Sequence, residues 1–163
     1  MVTGGEPTLQ KDLPVFLRKI KNLGFLVKLD TNGTNPEIVD SLIKDKLVDY
    51  VAIDYKGPFE KYDKYIGQVT GNRLQVTVKK TIEILAKSKI AFELRTTVVP
   101  TLHTEKDLIE MAKEISNFRW YLQNFRPTNC LDPEFEKIKP YDQEFFHNIL
   151  IKLQYYVKGV SVR

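Results

Sequence analysis

Tyr50-Val51-Ala52-Ile53-Asp54-Tyr55-Lys56-Gly57-Pro58 joins an apolar run to a polar, turn-forming end. Residues 50 to 53 suit a strand, and Gly57-Pro58 marks the break after it. The same arrangement recurs along the chain. Upstream, Phe25-Leu26-Val27-Lys28-Leu29-Asp30 reads as a buried strand ending at the turn signal Thr31-Asn32-Gly33. Downstream, a strand from Ala91 to Val99 is stopped by Pro100, and one from Trp120 to Phe125 is ended by Arg126-Pro127. Val160 to Arg163 supplies material for a final strand.

Helical spacing fills the intervals. Leu13, Phe16, Leu17, Ile20 and Leu23 recur at steps of three and four, lining one face, and Gly24 is the stop. Pro36 suits the first turn of a second helix, with Ile38, Val39, Leu42 and Ile43 as its apolar face. A third presents Val78, Ile82, Leu85 and Ala86, and a fourth Leu108, Met111, Ala112 and Ile115. The last runs from Asp142 to Lys158 with Phe146, Ile149, Leu150, Leu153 and Val157 inward, and Gly159 ends it. Between Asp54 and Gly71 the chain reads as a long aromatic and lysine-rich loop. Strands separated by crossover helices at intervals of about 25 to 35 residues predict βαβ units and a parallel sheet, hence an α/β fold. No interior linker divides residues 1–163, so one domain is expected. In such sheets chemistry collects at the carboxyl ends of the strands, in a barrel or an open doubly wound sheet alike.

Composition narrows the function. With 42% hydrophobic and 28% charged residues the chain has the make-up of a globular domain able to bury its own core. Cys130 is the only cysteine, which excludes an intrachain disulfide and any cluster or zinc site built from this chain's thiolates alone. No apolar run reaches the ~20 residues that cross a bilayer, and Met1 to Gly5 carries neither a basic region nor a signal core, so no membrane association and a cytoplasmic location are expected. The net charge is +4, but the lysines alternate with acids such as Glu105, Asp107, Glu110 and Glu114, which describes a solvated face and not a nucleic-acid track.

Each strand end delivers polar groups to one edge: Gly4-Gly5-Glu6, Asp30-Thr31-Asn32, Asp54 and Lys56, Arg95 and Thr97, then Gln123 and Arg126. Side-chain alternation puts Asp54 and Lys56 on one side and Tyr55 on the other. Gly4-Gly5 allows backbone to approach a ligand or take positive φ, though a tight turn needs the same pair. Asp30 and Asp54 sit at neighbouring strand ends, where two carboxylates call for a cation or ammonium between them, unless they cap helices. Lys56 and Arg95 suit a carboxylate or phosphate, or a buried ion pair with Glu93 or Asp54. His103, in a loop near Glu105, and His147, in a surface-type helix, offer little.

Thr3-Gly4-Gly5-Glu6-Pro7-Thr8-Leu9, Leu29-Asp30-Thr31-Asn32-Gly33, Ile53-Asp54-Tyr55-Lys56-Gly57-Pro58 and Glu93-Leu94-Arg95-Thr96-Thr97-Val98-Val99-Pro100 occur in this order. Together they resemble the activating-enzyme branch of the radical S-adenosylmethionine (radical SAM) superfamily. With Leu122 to Pro127 and Leu131-Asp132-Pro133, the chain is similar to anaerobic ribonucleoside-triphosphate reductase activating proteins, and pyruvate formate-lyase activating enzymes share its first four segments. The resemblance implies a partial (β/α) TIM-type barrel of about five to six units whose first unit, with the cluster loop, is missing. It implies that Gly4, Gly5 and Glu6 hold the amino group of S-adenosylmethionine, that Thr31, Asn32, Asp54, Lys56 and Arg95 contact its carboxylate or ribose, and that Asp30 with Asp54 takes a monovalent cation. It further implies a [4Fe–4S] cluster, an electron donor such as flavodoxin or ferredoxin, and a glycyl-radical enzyme as partner.

In that superfamily a CxxxCxxC loop precedes Gly-Gly-Glu-Pro, whereas here Gly4 lies three residues after Met1. The 163 residues are therefore expected to form the C-terminal major part of a longer activating enzyme, unable by themselves to cleave S-adenosylmethionine. A sheet edge left open before Gly4 predicts edge-mediated dimerisation. Two other functions fit some of the residues: a non-catalytic module binding a nucleoside-like ligand or a protein, and a Schiff-base lyase with Lys56 as nucleophile.

Overall fold

Parallel pairing in strict chain order governs the architecture. The computed structural model describes residues 1–66 and 73–163. Its strands are β1 (Lys28–Thr31), β2 (Tyr50–Asp54), β3 (Ala91–Val98), β4 (Arg119–Asn124) and β5 (Gly159–Val162), hydrogen-bonded in that sequence and all parallel. Val2 adds a parallel bridge beyond β1, donating its N–H to the Lys28 carbonyl at 2.7 Å and accepting from the Asp30 N–H at 2.9 Å. The helices are α1 (Leu13–Asn22), α2 (Pro36–Lys44), α3 (Tyr62–Ile66), α4 (Arg73–Lys87), α5 (Glu105–Glu114) and α6 (Gln143–Leu153). Crossovers between parallel strands are right-handed, and here every step moves the same way across the sheet, so the crossover helices fall on one face. A doubly wound sheet reverses direction and covers both faces; the order found here is that of a barrel wall.

Strand register then sorts the side chains. Leu29, Val51, Ile53, Leu94, Trp120 and Leu122 are fully buried in one apolar core that also takes in Leu17, Val39, Leu85, Leu108 and Leu153 from the helices. The alternate residues form polar rows on the opposite face: Lys28 beside Tyr50, Asp54 beside Arg95 beside Tyr121, and Thr97 beside Gln123. Toward the amino ends of the strands this face is closed by Glu93, 1% exposed, which accepts from Lys28 Nζ at 3.0 Å, from the Tyr50 hydroxyl at 2.8 Å and from both terminal nitrogens of Arg163 at 3.0 Å. The Arg163 guanidinium also lies 3.4 Å from the centre of the Tyr121 ring. Burial alone raises the Glu93 carboxyl, but its donors outweigh that and hold it below the usual range.

Several expectations need correction. β1 begins at Lys28 and not at Phe25; Phe25 and Leu26 are 62% and 80% exposed, because Gly24 (φ 83°) turns the chain and these residues precede the first ladder pair. Only Leu13 and Leu17 of the α1 face are buried, while Phe16 and Leu23 are exposed, since α1 flanks the end of the sheet. On α2 Val39 and Leu42 are buried and Ile38 is not; on α4 Ala86 is exposed. α6 ends at Leu153, with Asp142 as its N-cap accepting from Phe145 N–H at 2.8 Å. The expected loop after Asp54 contains a 3-10 turn (Phe59–Lys61) and α3, and its continuation to Gly71 falls in residues 67–72, outside the described residues.

Candidate functional site

At the carboxyl ends of the first three strands one arginine joins two carboxylates. Arg95 of β3 donates from Nη1 to Asp30 of β1 at 2.7 Å and from Nη2 to Asp54 of β2 at 3.1 Å. The side chains of Arg95 and Asp30 are only 16% and 7% exposed, that of Asp54 45%. The positive charge between the carboxylates, for which the sequence suggested a cation or ammonium, is thus the Arg95 guanidinium. Burial disfavours that charge, and Asp30 and Asp54 more than offset the penalty, so Arg95 holds its proton more tightly than a free arginine. Neither carboxylate caps a helix: Asn35 precedes α2 and Pro58 precedes the 3-10 turn. Asp30 Oδ1 and Arg95 Nε, both buried, have no hydrogen-bond partner among the described residues. Buried polar atoms are normally satisfied, so this unmet acceptor and donor are exceptions.

The Gly4-Gly5-Glu6 loop adjoins this cluster through β1. Both glycines lie at positive φ (105° and 45°), and a Cβ on either meets nothing within 4 Å, so conformation and not crowding requires them. Glu6 turns inward. Its Oε1 accepts from the Thr8 N–H at 3.0 Å, the Thr8 hydroxyl at 2.6 Å and the Thr31 hydroxyl at 2.8 Å, and its Oε2 accepts from the Asn32 N–H at 2.6 Å. The carboxylate offered to an ammonium by the sequence reading therefore ties the loop to the end of β1. The Gly4 and Gly5 carbonyls accept no hydrogen bond among the described residues. Thr31 is buried, its hydroxyl also accepting from the Gly33 N–H at 3.1 Å.

Beyond β2 the alternation holds. Tyr55 points among the helices, fully buried, and its hydroxyl donates to Glu114 of α5; burial pushes the Tyr55 phenol well up and raises Glu114 too. Its carbonyl accepts from the Thr96 hydroxyl at 2.5 Å, which in turn accepts from Trp120 Nε1 at 2.8 Å. Asp54 and Lys56 face the other way, into a cavity of about 220 Å³ shared with Tyr65, Arg95, Thr97 and His103. A second cavity of about 170 Å³, between Asn32, Thr34, Lys56 and Tyr62, lies on the other side of Lys56. Gly57 is dictated by crowding, because a Cβ there would stand 2.2 Å from the Tyr65 ring.

The structure thus brings Asp30, Asp54, Lys56 and Arg95 together, sets Glu6, Thr31 and Asn32 in an adjoining hydrogen-bonded group, and leaves Gly4 lining a separate hollow with Val2 and Pro7. Arg126 and His147 are exposed. Two residues to which the sequence reading gave no role border the cavity shared by Asp54, Lys56 and Arg95: Tyr65 and His103, the latter only 3% exposed. Local sequence held no signal for either, since both arrive by the folding of loops over neighbouring strands. Among the described residues no group of three or more His, Cys, Asp and Glu can hold a metal ion. Cys130, in the loop after β4, does not by itself provide for an iron–sulfur cluster. No described helix is long and apolar enough to cross a membrane.

Comparison with known proteins agrees with this geometry. The radical SAM superfamily profile matches residues 1–115. A protein of Methanocaldococcus jannaschii that carries the name of a glycyl-radical enzyme activating enzyme is 42% identical over 141 residues, covering 85% of this chain and 59% of that protein. A Pyrococcus abyssi protein named as a GTP 3′,8-cyclase is 29% identical over 154 residues, 84% of this chain and 49% of its own length. The chain thus spans about half to three-fifths of these relatives. The crystal structure of a domain of a pyruvate-formate lyase-activating enzyme from Bacteroides vulgatus superposes with a TM-score of 0.76 at 18% identity, covering 99% of this chain and 96% of that one, a likeness of fold. On its motifs, its parallel barrel wall and its matched profile, the chain belongs to the radical SAM superfamily.

Proposed function

We propose that this chain is the S-adenosylmethionine-binding part of an enzyme that installs a glycyl radical on a partner protein. The observation that carries the reading is the Arg95 bridge between Asp30 and Asp54, with its orphaned acceptor and donor. A methionine moiety presents an ammonium and a carboxylate. Asp30 Oδ1 and the Gly4 and Gly5 carbonyls suit the ammonium or ribose hydroxyls, and Lys56 and Arg95 Nε suit the carboxylate. Glu6 holds the loop to the end of β1 through Thr31 and Asn32 and so sets where Gly4 and Gly5 stand. One-electron cleavage of its sulfonium, the source of a hydrogen-abstracting radical, is the chemistry that S-adenosylmethionine supplies when bound. The residues present do not fit a [4Fe–4S] cluster, so no step is assigned through one, and the chain alone is proposed to bind without cleaving.

The name carried by the 42%-identical relative supports a glycyl-radical enzyme as partner, which we assign to the anaerobic ribonucleotide reductase type, with flavodoxin or ferredoxin as electron donor and the cytoplasm as location. Titration calorimetry of the chain with S-adenosylmethionine tests the binding role. Saturable heat that Arg95→Met and Lys56→Ala each weaken at least tenfold is expected; no heat, or heat indifferent to both substitutions, refutes it. The exposed Phe25 and Leu26 beside the Val2 edge support association of two copies there, and a monomeric sedimentation profile at high concentration would overturn that part.

A further inference from the structure

The turn that leaves β3 folds back on itself and reaches across to the loop that leaves β2. His103 N–H donates to the Val99 carbonyl at 2.9 Å, while the Val99 N–H donates to His103 Nδ1 at 3.1 Å, so the imidazole closes the turn from within. Thr101, inside this turn, stands at φ 75°. A β-branched residue there is strained, and such strain persists only where surrounding contacts enforce the conformation. The other ring nitrogen, Nε2, lies 2.9 Å from the Lys56 carbonyl.

These contacts decide the tautomer. Because Nδ1 accepts a backbone N–H it carries no proton, so the single proton of the neutral ring sits on Nε2 and is donated to Lys56. The ring is 3% exposed and packs on Tyr65 with 4.9 Å between centroids. Tyr65 in turn leaves no room for a side chain at Gly57, next to Lys56. Burial also lowers the imidazole's affinity for a second proton, which would destroy the Val99 bond. Among the described residues, the only other hydrogen bond at the Lys56 backbone, from its N–H to the Tyr62 hydroxyl, is long at 3.4 Å.

We propose that His103 is a positioning residue, a tautomer-fixed clamp that holds the Lys56 backbone against the β3 turn and so sets where the Lys56 ammonium meets a ligand in the cavity shared with Asp54 and Arg95. The clamp adds a role outside the strand-end motifs, and its effect on ligand rests on the S-adenosylmethionine reading above. A merely space-filling histidine needs no particular tautomer and responds alike to either amide replacement. A clamp does not. A glutamine amide nitrogen extends to the place of Nε2 and preserves the donor to Lys56; asparagine ends near Nδ1, serves Val99 and loses Lys56.

The test has two arms on the 163-residue chain. Without ligand, 15N-histidine NMR at pH 7 is expected to show His103 with Nε2 protonated and Nδ1 bare, and the Lys56 and Gly57 amide resonances are expected to move in His103→Asn but stay near wild type in His103→Gln. With S-adenosylmethionine, calorimetry is expected to give an affinity weakened about tenfold in His103→Asn and within about threefold of wild type in His103→Gln. A doubly protonated ring, the opposite tautomer, or equal behaviour of the two variants overturns the clamp. Wild-type chain that binds no S-adenosylmethionine removes the ligand reading, while the NMR arm still decides the clamp.

Discussion

Removing Arg95 should expose how the strand-end cluster is held together. Its guanidinium lies 2.7 Å from Asp30, and at an effective dielectric of about 20 two unit charges at that distance attract by about 6 kcal/mol. Desolvation cancels much of this gain, so the intact pair contributes little net stability. Loss of one partner is different. In Arg95→Met the Asp30 carboxylate, 7% exposed, is left buried with Lys28 Nζ 4.0 Å away as its nearest positive charge. An uncompensated buried charge costs about 3–5 kcal/mol, and the lower end applies here because Lys28 remains close. Urea unfolding at pH 7 should therefore show a loss of about 3 kcal/mol for Arg95→Met. Adding Asp30→Asn removes the stranded charge, so the double variant should be more stable than Arg95→Met alone. A single variant within about 1 kcal/mol of wild type, or a double variant no better than the single, would refute the reasoning.

Three further outcomes follow from other contacts. Gly57→Ala forces a methyl against the Tyr65 ring and should cost about 2 kcal/mol, with the Gly57→Ala/Tyr65→Ala pair less than additive by thermal unfolding; full additivity would mean the ring is not the obstacle. Glu93→Ala strands Lys28, Tyr50 and Arg163 and should cost about 3 kcal/mol while leaving S-adenosylmethionine affinity unchanged, because that network closes the amino half of the sheet face; a matching loss of affinity would contradict the separation. Asp107 forms a capping box with Thr104 at the start of α5. Burial alone raises its carboxyl, but the Thr104 hydroxyl and N–H and Lys61 outweigh that and bring it down to about 2. Its folded value thus lies below its unfolded value of 3.8, so about 2 kcal/mol of stability is present above pH 4 and lost as the pH falls through about 2. Asp107→Asn should flatten that acid limb in denaturant titrations between pH 5 and pH 2, and an unchanged limb would show the stabilisation to lie elsewhere.

The succession of strands and helices was legible because burial leaves a period in the residues themselves. Leu108, Met111, Ala112 and Ile115 were expected on one face and all four are buried. The strand ends were legible for the same reason: Asp54, Lys56 and Arg95 interrupt apolar runs, and parallel strands deliver such interruptions to one edge. Periodicity misled at Phe16 and Leu23, which are exposed although Leu13 and Leu17 of the same helical face are buried.

Sequence by itself determined the α/β class, the ordered motifs and the polar edge, since these depend on residue type and short-range spacing. The resemblance those motifs carry also implied the partial barrel that the strand order shows. Tertiary structure alone decided that Arg95 lies between Asp30 and Asp54, that Glu6 turns inward to Thr31 and Asn32, and that His103 reaches Lys56. Each of these joins residues from different strands or loops, and such pairings arise from strand register and the packing of loops, which local sequence does not encode.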